Sequence, residues 1–258
     1  MPDSGPDAAQ AWFSANVDEA VTKALEDGLA AAMGRERRAD PVLAGTGGPA
    51  GNARLTAWTG LILLMLFLAE LVTLLDVHGL ISWHLALGIL LVPPALLKTG
   101  TTGWRILRYY TGNTAYRSAG PPPLLLRVLG PLVVLTTLAL LGTGVALVLV
   151  GATQSREPLF TVLDQQVDVL MLHKAAFLVW AAATGLHVLA RLVPAWHLTL
   201  ERGPRVPGLA WRGLILLVVG VVAVPLVAWG LASSGGWRDN GYFGPPPAGH
   251  RPPPGFKK

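Results

Sequence analysis

The sequence predicts an all-α protein, an integral membrane bundle with five transmembrane helices. Of its 258 residues, 52% are hydrophobic and only 14% are charged, and the mean hydropathy is +0.50. Soluble domains carry about 25% charged residues, so this composition indicates a membrane protein. Five stretches approach the roughly 20 apolar residues that a bilayer core requires. They lie at about 57–75, 80–98, 129–151, 170–193 and 213–231.

The basic residues of the loops predict how the chain is oriented. The loop after the second stretch contains four arginines and no acid, and the loop after the fourth contains Arg202, Arg205 and Arg212 against Glu201. Loops rich in Lys and Arg stay in the cytoplasm, so we expect a multi-pass protein of the cell's inner (plasma) membrane, with its N-terminus inside and its C-terminus outside. These loops also account for the pI near 9.9, and we expect no nucleic-acid partner.

The chain divides into three predicted segments. Residues 1–52 form a cytoplasmic segment with a short helix, at 8–38, that rests on the membrane surface or docks a soluble partner. Residues 44–52 read as a flexible joint. Residues 53–232 form the transmembrane bundle, and 233–258 form a Pro/Gly-rich tail that we expect to be disordered. The chain has no cysteine, which excludes a disulfide and a cysteine-ligated iron–sulfur cluster.

Two histidines lie inside the fourth apolar stretch. His173 and His187 are fourteen residues apart, which at about 100° per residue places both on one helical face, about 21 Å apart along the axis. Ionisable side chains within a membrane helix are costly, and they are candidates for a functional site.

The second apolar stretch supplies a partner for the first of these histidines. His84 and His173 lie at similar depths from the same side of the membrane, on two stretches that run parallel. Neutral imidazole binds haem iron, and helix bundles hold cofactors between facing helices. Gly88, one turn after His84, would let a flat macrocycle approach the backbone. The alternative is that both histidines only form hydrogen bonds to neighbouring helices.

These residues resemble a known family, the membrane b-type cytochromes of the bis-histidine haem bundle type. His173 and His187 match the helix that carries a histidine pair, and His84 matches the outer ligand of the parallel helix. The segment KTGTTGWRILRYY, which begins at Lys98, is also similar to a group of actinobacterial cytochrome b-like membrane proteins. The resemblance, over about 61–192, implies that the central helices form a haem-binding four-helix bundle with haem b as cofactor.

Lys98 departs from the family pattern. It stands fourteen residues after His84, where the second histidine of that helix would be. We therefore expect one haem held by His84 and His173, although a second, held by His187 with Lys98 or with another ligand, stays open. With one haem, His187 would form hydrogen bonds or bind a quinone. Arg191 would meet a haem propionate or extend to lipid headgroups.

The resemblance implies electron transport across or along the membrane, with a redox partner subunit that carries out any oxidoreductase chemistry. The chain itself has no glycine-rich nucleotide motif, so it is an electron-transfer component rather than a self-contained enzyme. Glu70, near the end of the first stretch, would hydrogen-bond either a histidine ring or nearby backbone. The alternative function is that of a haem-free polytopic membrane protein, either a transporter or a scaffold for a complex.

Overall fold

The computed structural model describes residues 6–33, 35, 40–120, 124–200 and 206–239. Its helices are α1 (Pro6–Ala32), α2 (Gly48–Thr73), α3 (Ile81–Tyr110), α4 (Thr114–Ser118), α5 (Leu124–Val150), α6 (Val169–Leu200), α7 (Leu209–Ser233) and α8 (Gly235–Asp239). Short 3₁₀ turns follow α2 at Leu74–Asp76 and α5 at Gln154–Arg156, and strands β1 (Phe160–Val162) and β2 (Gln165–Val167) form an antiparallel hairpin before α6.

Five of these helices are long and apolar enough to cross a membrane. They comprise Gly48–Asp76, Ile81–Tyr110, Leu126–Val150, Val169–His197 and Leu209–Ser233. Only 11–22% of the most apolar window of each is buried within the protein, so most of their apolar surface is available to lipid. The prediction of an all-α membrane bundle with five spanning helices is confirmed.

Each spanning helix has an apolar stretch, but the helix can extend beyond it. α2 begins at Gly48, well before the apolar stretch, because Gly47 adopts the left-handed conformation (φ 84°) at the cap and Pro49 occupies the first turn. The prediction of a flexible joint at 44–52 is therefore wrong from Gly48 onward. α3 also extends beyond its apolar stretch, because it continues through Pro93 and Pro94 to Tyr110.

The bundle is built from pairs of adjacent helices. α5 packs against α6, α2 packs against α3, and α7 lies on the outer side of α3. α2, α3, α5 and α6 together surround a central cavity. α1 has 27 residues, begins two residues before the predicted helix at 8–38 and ends six residues earlier, and it packs against α5 and α6 while leaving Phe13 and Leu29 exposed.

Two local features differ from expectation. The loop before α6 contains the β1–β2 hairpin, in which Leu163 and Asp164 adopt left-handed conformations (φ 49° and 61°). Trp237, in the segment predicted to be disordered, lies in α8 and is buried, and its indole N–H donates to the carbonyl oxygen of Leu147 at 3.0 Å. The predicted disorder is therefore wrong for residues 235–239. The rest of that tail, from 240 onward, lies outside the described residues.

Candidate functional site

A cavity of about 460 Å³ lies within the bundle, near the end where α3 and α6 begin, which we call the histidine end. Cofactor pockets usually measure about 300–1,000 Å³ and are mainly apolar with a few polar groups. This cavity fits that description, because aliphatic and aromatic side chains form its wall and His84, His173, Glu70 and Lys174 supply its polar groups.

The rings of both histidines line this space and lie close to each other. His84 is the fourth residue of α3 and His173 is the fifth residue of α6, so parallel helices present them at one level. Their ring centroids are 6.5 Å apart, and the ring planes are nearly perpendicular, at 80°. The structure thus brings together the two side chains whose matched depth the sequence predicted.

Two residues of α2 hold the Nδ1 atom of His84. It lies 2.9 Å from Oε1 of Glu70 and 3.0 Å from the hydroxyl oxygen of Thr73. The Thr73 hydroxyl donates its one proton to the carbonyl oxygen of Glu70 at 2.6 Å. Both neighbours are therefore acceptors towards His84, which assigns the ring proton to Nδ1. The predicted contact of Glu70 with a histidine ring is present in the structure.

The Nδ1 atom of His173 is held in the same way by α5. It lies 3.0 Å from the hydroxyl oxygen of Thr143. That hydroxyl donates to the carbonyl oxygens of Ala139 and Leu140, at 2.8 and 3.0 Å. Thr143 can therefore only accept from His173, so this ring also carries its proton on Nδ1.

The two tautomers leave the Nε2 lone pair of each ring available. Histidines that bind metals almost always donate their other ring N–H to a carboxylate, carbonyl or water, which fixes the tautomer. Metal–imidazole bonds of about 2 Å place two coordinating nitrogens about 4 Å apart and their ring centres about 6 Å apart. The observed centroid separation of 6.5 Å is compatible with this arrangement.

Two glycines shape the cavity wall. Gly88 lines the cavity, as predicted for a residue next to a flat ligand, and a Cβ built there would meet only Oε1 of Glu70, at 3.5 Å. Gly144 of α5 also lines it, and a Cβ there would come within 3.2 Å of Cε1 of His173. Gly144 therefore leaves the space in which the His173 ring sits.

An aromatic layer closes the cavity towards the middle of the bundle. Trp180 is 4% exposed, and its ring centroid lies 4.6 Å from that of Phe67 and 6.1 Å from that of Phe177. Its indole N–H donates to the hydroxyl of Thr137 at 3.1 Å. This bond anchors α6 to α5 between the two levels at which the sequence places histidines.

The other predicted site residues lie at the opposite end, which we call the lysine end. Lys98, His187 and Arg191, the basic cluster, do not line the cavity but are close enough for their charges to interact. The ammonium group of Lys98 donates to the carbonyl oxygen of Thr56 at 3.1 Å. A Cβ at Gly60 would come within 2.6 Å of that nitrogen, so Lys98 extends over α2.

Thr73, Thr143 and Gly144 contribute to the site but were not predicted as functional residues. Hydroxyls within membrane helices commonly bond the backbone of their own helix, as these threonines also do. The sequence offered one indication of their role, which is that each lies near a helix end at the depth of a histidine. Within the described parts of the chain, no group of three or more His, Cys, Asp or Glu side chains could hold a metal ion. Two imidazoles alone are an incomplete site for a bare ion, whereas a macrocycle would supply the remaining ligands.

No protein-family model matches the chain, and the searches of curated proteins and of solved structures found no match either.

Proposed function

We propose that this protein is a membrane-embedded b-type cytochrome in which His84 and His173 bind one haem b. The observation that carries the proposal is the pair of neighbouring imidazoles on the cavity wall, with ring centroids 6.5 Å apart, whose Nδ1 atoms are both occupied by hydrogen bonds. The apolar cavity and the two glycines of its wall fit a flat, largely apolar ligand.

Haem with two histidine ligands has no open iron position and supplies one-electron transfer. The protein residues would fix its ligands, exclude water and set its electronic environment. Glu70 accepts from the His84 ring, whereas a neutral hydroxyl accepts from the His173 ring. The carboxylate makes its imidazole the stronger electron donor of the two. Lys174, on the cavity wall, is placed to pair with a carboxylate of the bound group.

The lysine end supports one haem rather than two. A second bis-histidine haem would require a partner for His187 on α3, and Lys98 occupies that depth. Its ammonium group is instead bonded to the backbone of α2 at Thr56. A primary amine must also lose its proton before it can ligate iron. We therefore assign a single haem, at the histidine end.

The loop charges support an orientation with the lysine end in the cytoplasm and the histidine end outside. In this orientation the haem lies close to the outer surface of the inner (plasma) membrane. The protein would pass electrons between that surface and a redox partner subunit, and it would depend on this partner for any substrate chemistry.

The test is the visible spectrum of the purified protein with single histidine substitutions. His84→Ala and His173→Ala should each abolish the haem absorbance. His78→Ala should leave it unchanged, because His78 lies in the turn between α2 and α3 and does not line the cavity. The expected stoichiometry is one haem per chain.

A wild-type protein that neither contains haem nor takes it up would refute the proposal and favour a haem-free transporter or scaffold. Full spectra in both histidine variants would refute the ligand assignment. A stoichiometry of two would refute the single-haem assignment.

A further inference from the structure

Among the residues that the structure describes, the acidic groups near the basic cluster do not balance its positive charge. Lys98, His187 and Arg191 interact electrostatically with one another. Asp40 is the acid whose charge reaches Arg191, but its carboxylate is already in an ion pair with Arg105. Two uncompensated cations within a bundle are costly unless an anion or the lipid surface compensates them.

Two buried polar atoms on the same face of α6 have no partner. Nδ1 of His187 and the hydroxyl oxygen of Thr184 are shielded from solvent, and neither forms a hydrogen bond within the described residues. Thr184, His187 and Arg191 follow one another at intervals of three and four residues, so they form one strip along the helix. Buried polar groups are nearly always bonded, and an unpaired pair of them indicates a missing partner.

Lys98 contributes free donors to this strip. Its ammonium group has three N–H bonds, and one of them is used by the carbonyl oxygen of Thr56. Gly60 leaves room for the ammonium group against α2. The position of the charge is therefore fixed by the bundle rather than by a mobile side chain on the surface.

The depth of the cluster identifies where its partner lies. Trp104 and Trp196 are exposed, and such residues anchor helices at the headgroup level. Lys98 precedes Trp104 by six residues and Arg191 precedes Trp196 by five, which places these two cations roughly 7–9 Å towards the bundle interior. Long basic side chains reach from this depth to the phosphates of the lipid headgroups.

We propose that the basic cluster forms a binding site for a phosphate group, provided by the headgroup of an anionic phospholipid in the leaflet at the lysine end. A phosphate offers several acceptor oxygens at once. The guanidinium of Arg191 can bind two of them, and Lys98 and His187, which lies one turn deeper than Arg191, can donate to the others. Arg191 is exposed, so the site opens towards lipid. This site is separate from the proposed haem site, and neither depends on the other.

The experiment is native mass spectrometry of the full chain released from detergent micelles. The probes are dioleoyl-phosphatidylglycerol, the zwitterionic dioleoyl-phosphatidylcholine, and inorganic phosphate as a competitor. We expect one phosphatidylglycerol per chain to bind more tightly than phosphatidylcholine. Lys98→Met and Arg191→Gln should each weaken this binding by about 10- to 100-fold, which is the effect of losing one hydrogen bond to a charged group.

Arg156→Gln is the matched control. It removes the same charge from an exposed arginine in the loop before α6, at the histidine end. We expect phosphatidylglycerol binding to be unchanged in Arg156→Gln and lost in the two cluster variants. If excess inorganic phosphate also leaves this binding unchanged, the site is assigned to a lipid. If inorganic phosphate displaces the lipid from the wild-type protein, the phosphate site stands and free phosphate is its source.

Two results would overturn the proposal. One is wild-type affinity for phosphatidylglycerol in both cluster variants, and the other is an equal loss in Arg156→Gln, since that would indicate non-specific attraction. If Lys98→Met does not fold, Arg191→Gln decides alone, because its side chain is exposed. The haem absorbance of the same samples reports on the other proposal separately.

Discussion

Replacing Thr143 by valine tests whether the tautomer of His173 is set for metal binding. Valine has nearly the shape of threonine but cannot accept a hydrogen bond. The substitution leaves α5 apolar and removes the contact of 3.0 Å between the hydroxyl oxygen and Nδ1 of His173. Thr143 does not line the cavity, so only the orientation and the tautomer of the imidazole should change.

The expected magnitude follows from what remains around the ring. Loss of the outer partner of a ligating histidine typically weakens metal binding by about 10- to 100-fold, or roughly 1.4–2.7 kcal/mol. The backbone carbonyl of Leu140 also accepts from His173 and stays in place in the variant. It keeps part of the orienting force, so we expect the lower end of this range, about tenfold.

The assay is a haem titration of the purified protein, followed by its absorbance. Thr136→Val is the matched control, since it removes a hydroxyl from the same helix that bonds only the carbonyl oxygens of Leu132 and Val133. It should bind haem as the wild type does. An unchanged haem affinity in Thr143→Val, while His173→Ala binds none, would show that the hydrogen bond does not support ligation.

Three further predictions concern the fold. Gly230→Ala should destabilise the bundle by about 1–3 kcal/mol, because a Cβ there would overlap the Ile89 side chain of α3. Gly220 lies in open space, so Gly220→Ala should keep the wild-type thermal midpoint. A wild-type midpoint in Gly230→Ala would contradict the α3–α7 contact. Trp237→Phe should cost about 1 kcal/mol in thermal unfolding through its lost hydrogen bond, and an unchanged midpoint would show that α8 is not anchored. A reporter fused after Lys258 that works only outside the cytoplasm should be active, whereas inactivity there combined with cytoplasmic activity would invert the orientation.

The number and position of the spanning helices could be predicted from the sequence because lipid imposes one requirement on every span. About 20 apolar residues must be continuous, and this is visible without knowledge of packing. The exact residues at which the helices begin and end were harder to predict from the sequence. α2 begins nine residues before its predicted start at 57 because Gly47 and Pro49 initiate it, and this start depends on local backbone chemistry rather than on hydropathy.

The pairing of His84 with His173 could also be predicted from the sequence, since depth along parallel helices follows from counting residues. The hydrogen bonds that Thr73 and Thr143 accept from these two rings could not be predicted. They depend on how α2 and α5 are rotated and shifted against their neighbours, and that register is set by the packing of many side chains. Trp237 was missed for a related reason. Its surroundings of Gly and Ser predict no helix, and only contact with Leu147 makes its burial favourable.

The shallow position of His84 has an electrical consequence. His84 lies three residues from the start of α3, about 5 Å along an axis that crosses roughly 30 Å of hydrocarbon. A membrane potential of about 100 mV does about 2.3 kcal/mol of work on one charge that crosses the full thickness. With the proposed haem bound, an electron that reaches the ring pair from the histidine end would cross about a sixth of that field, or roughly 0.4 kcal/mol. An electron from the lysine end would cross the remainder, so the rate of electron entry should depend on voltage more strongly when the donor is at the lysine end.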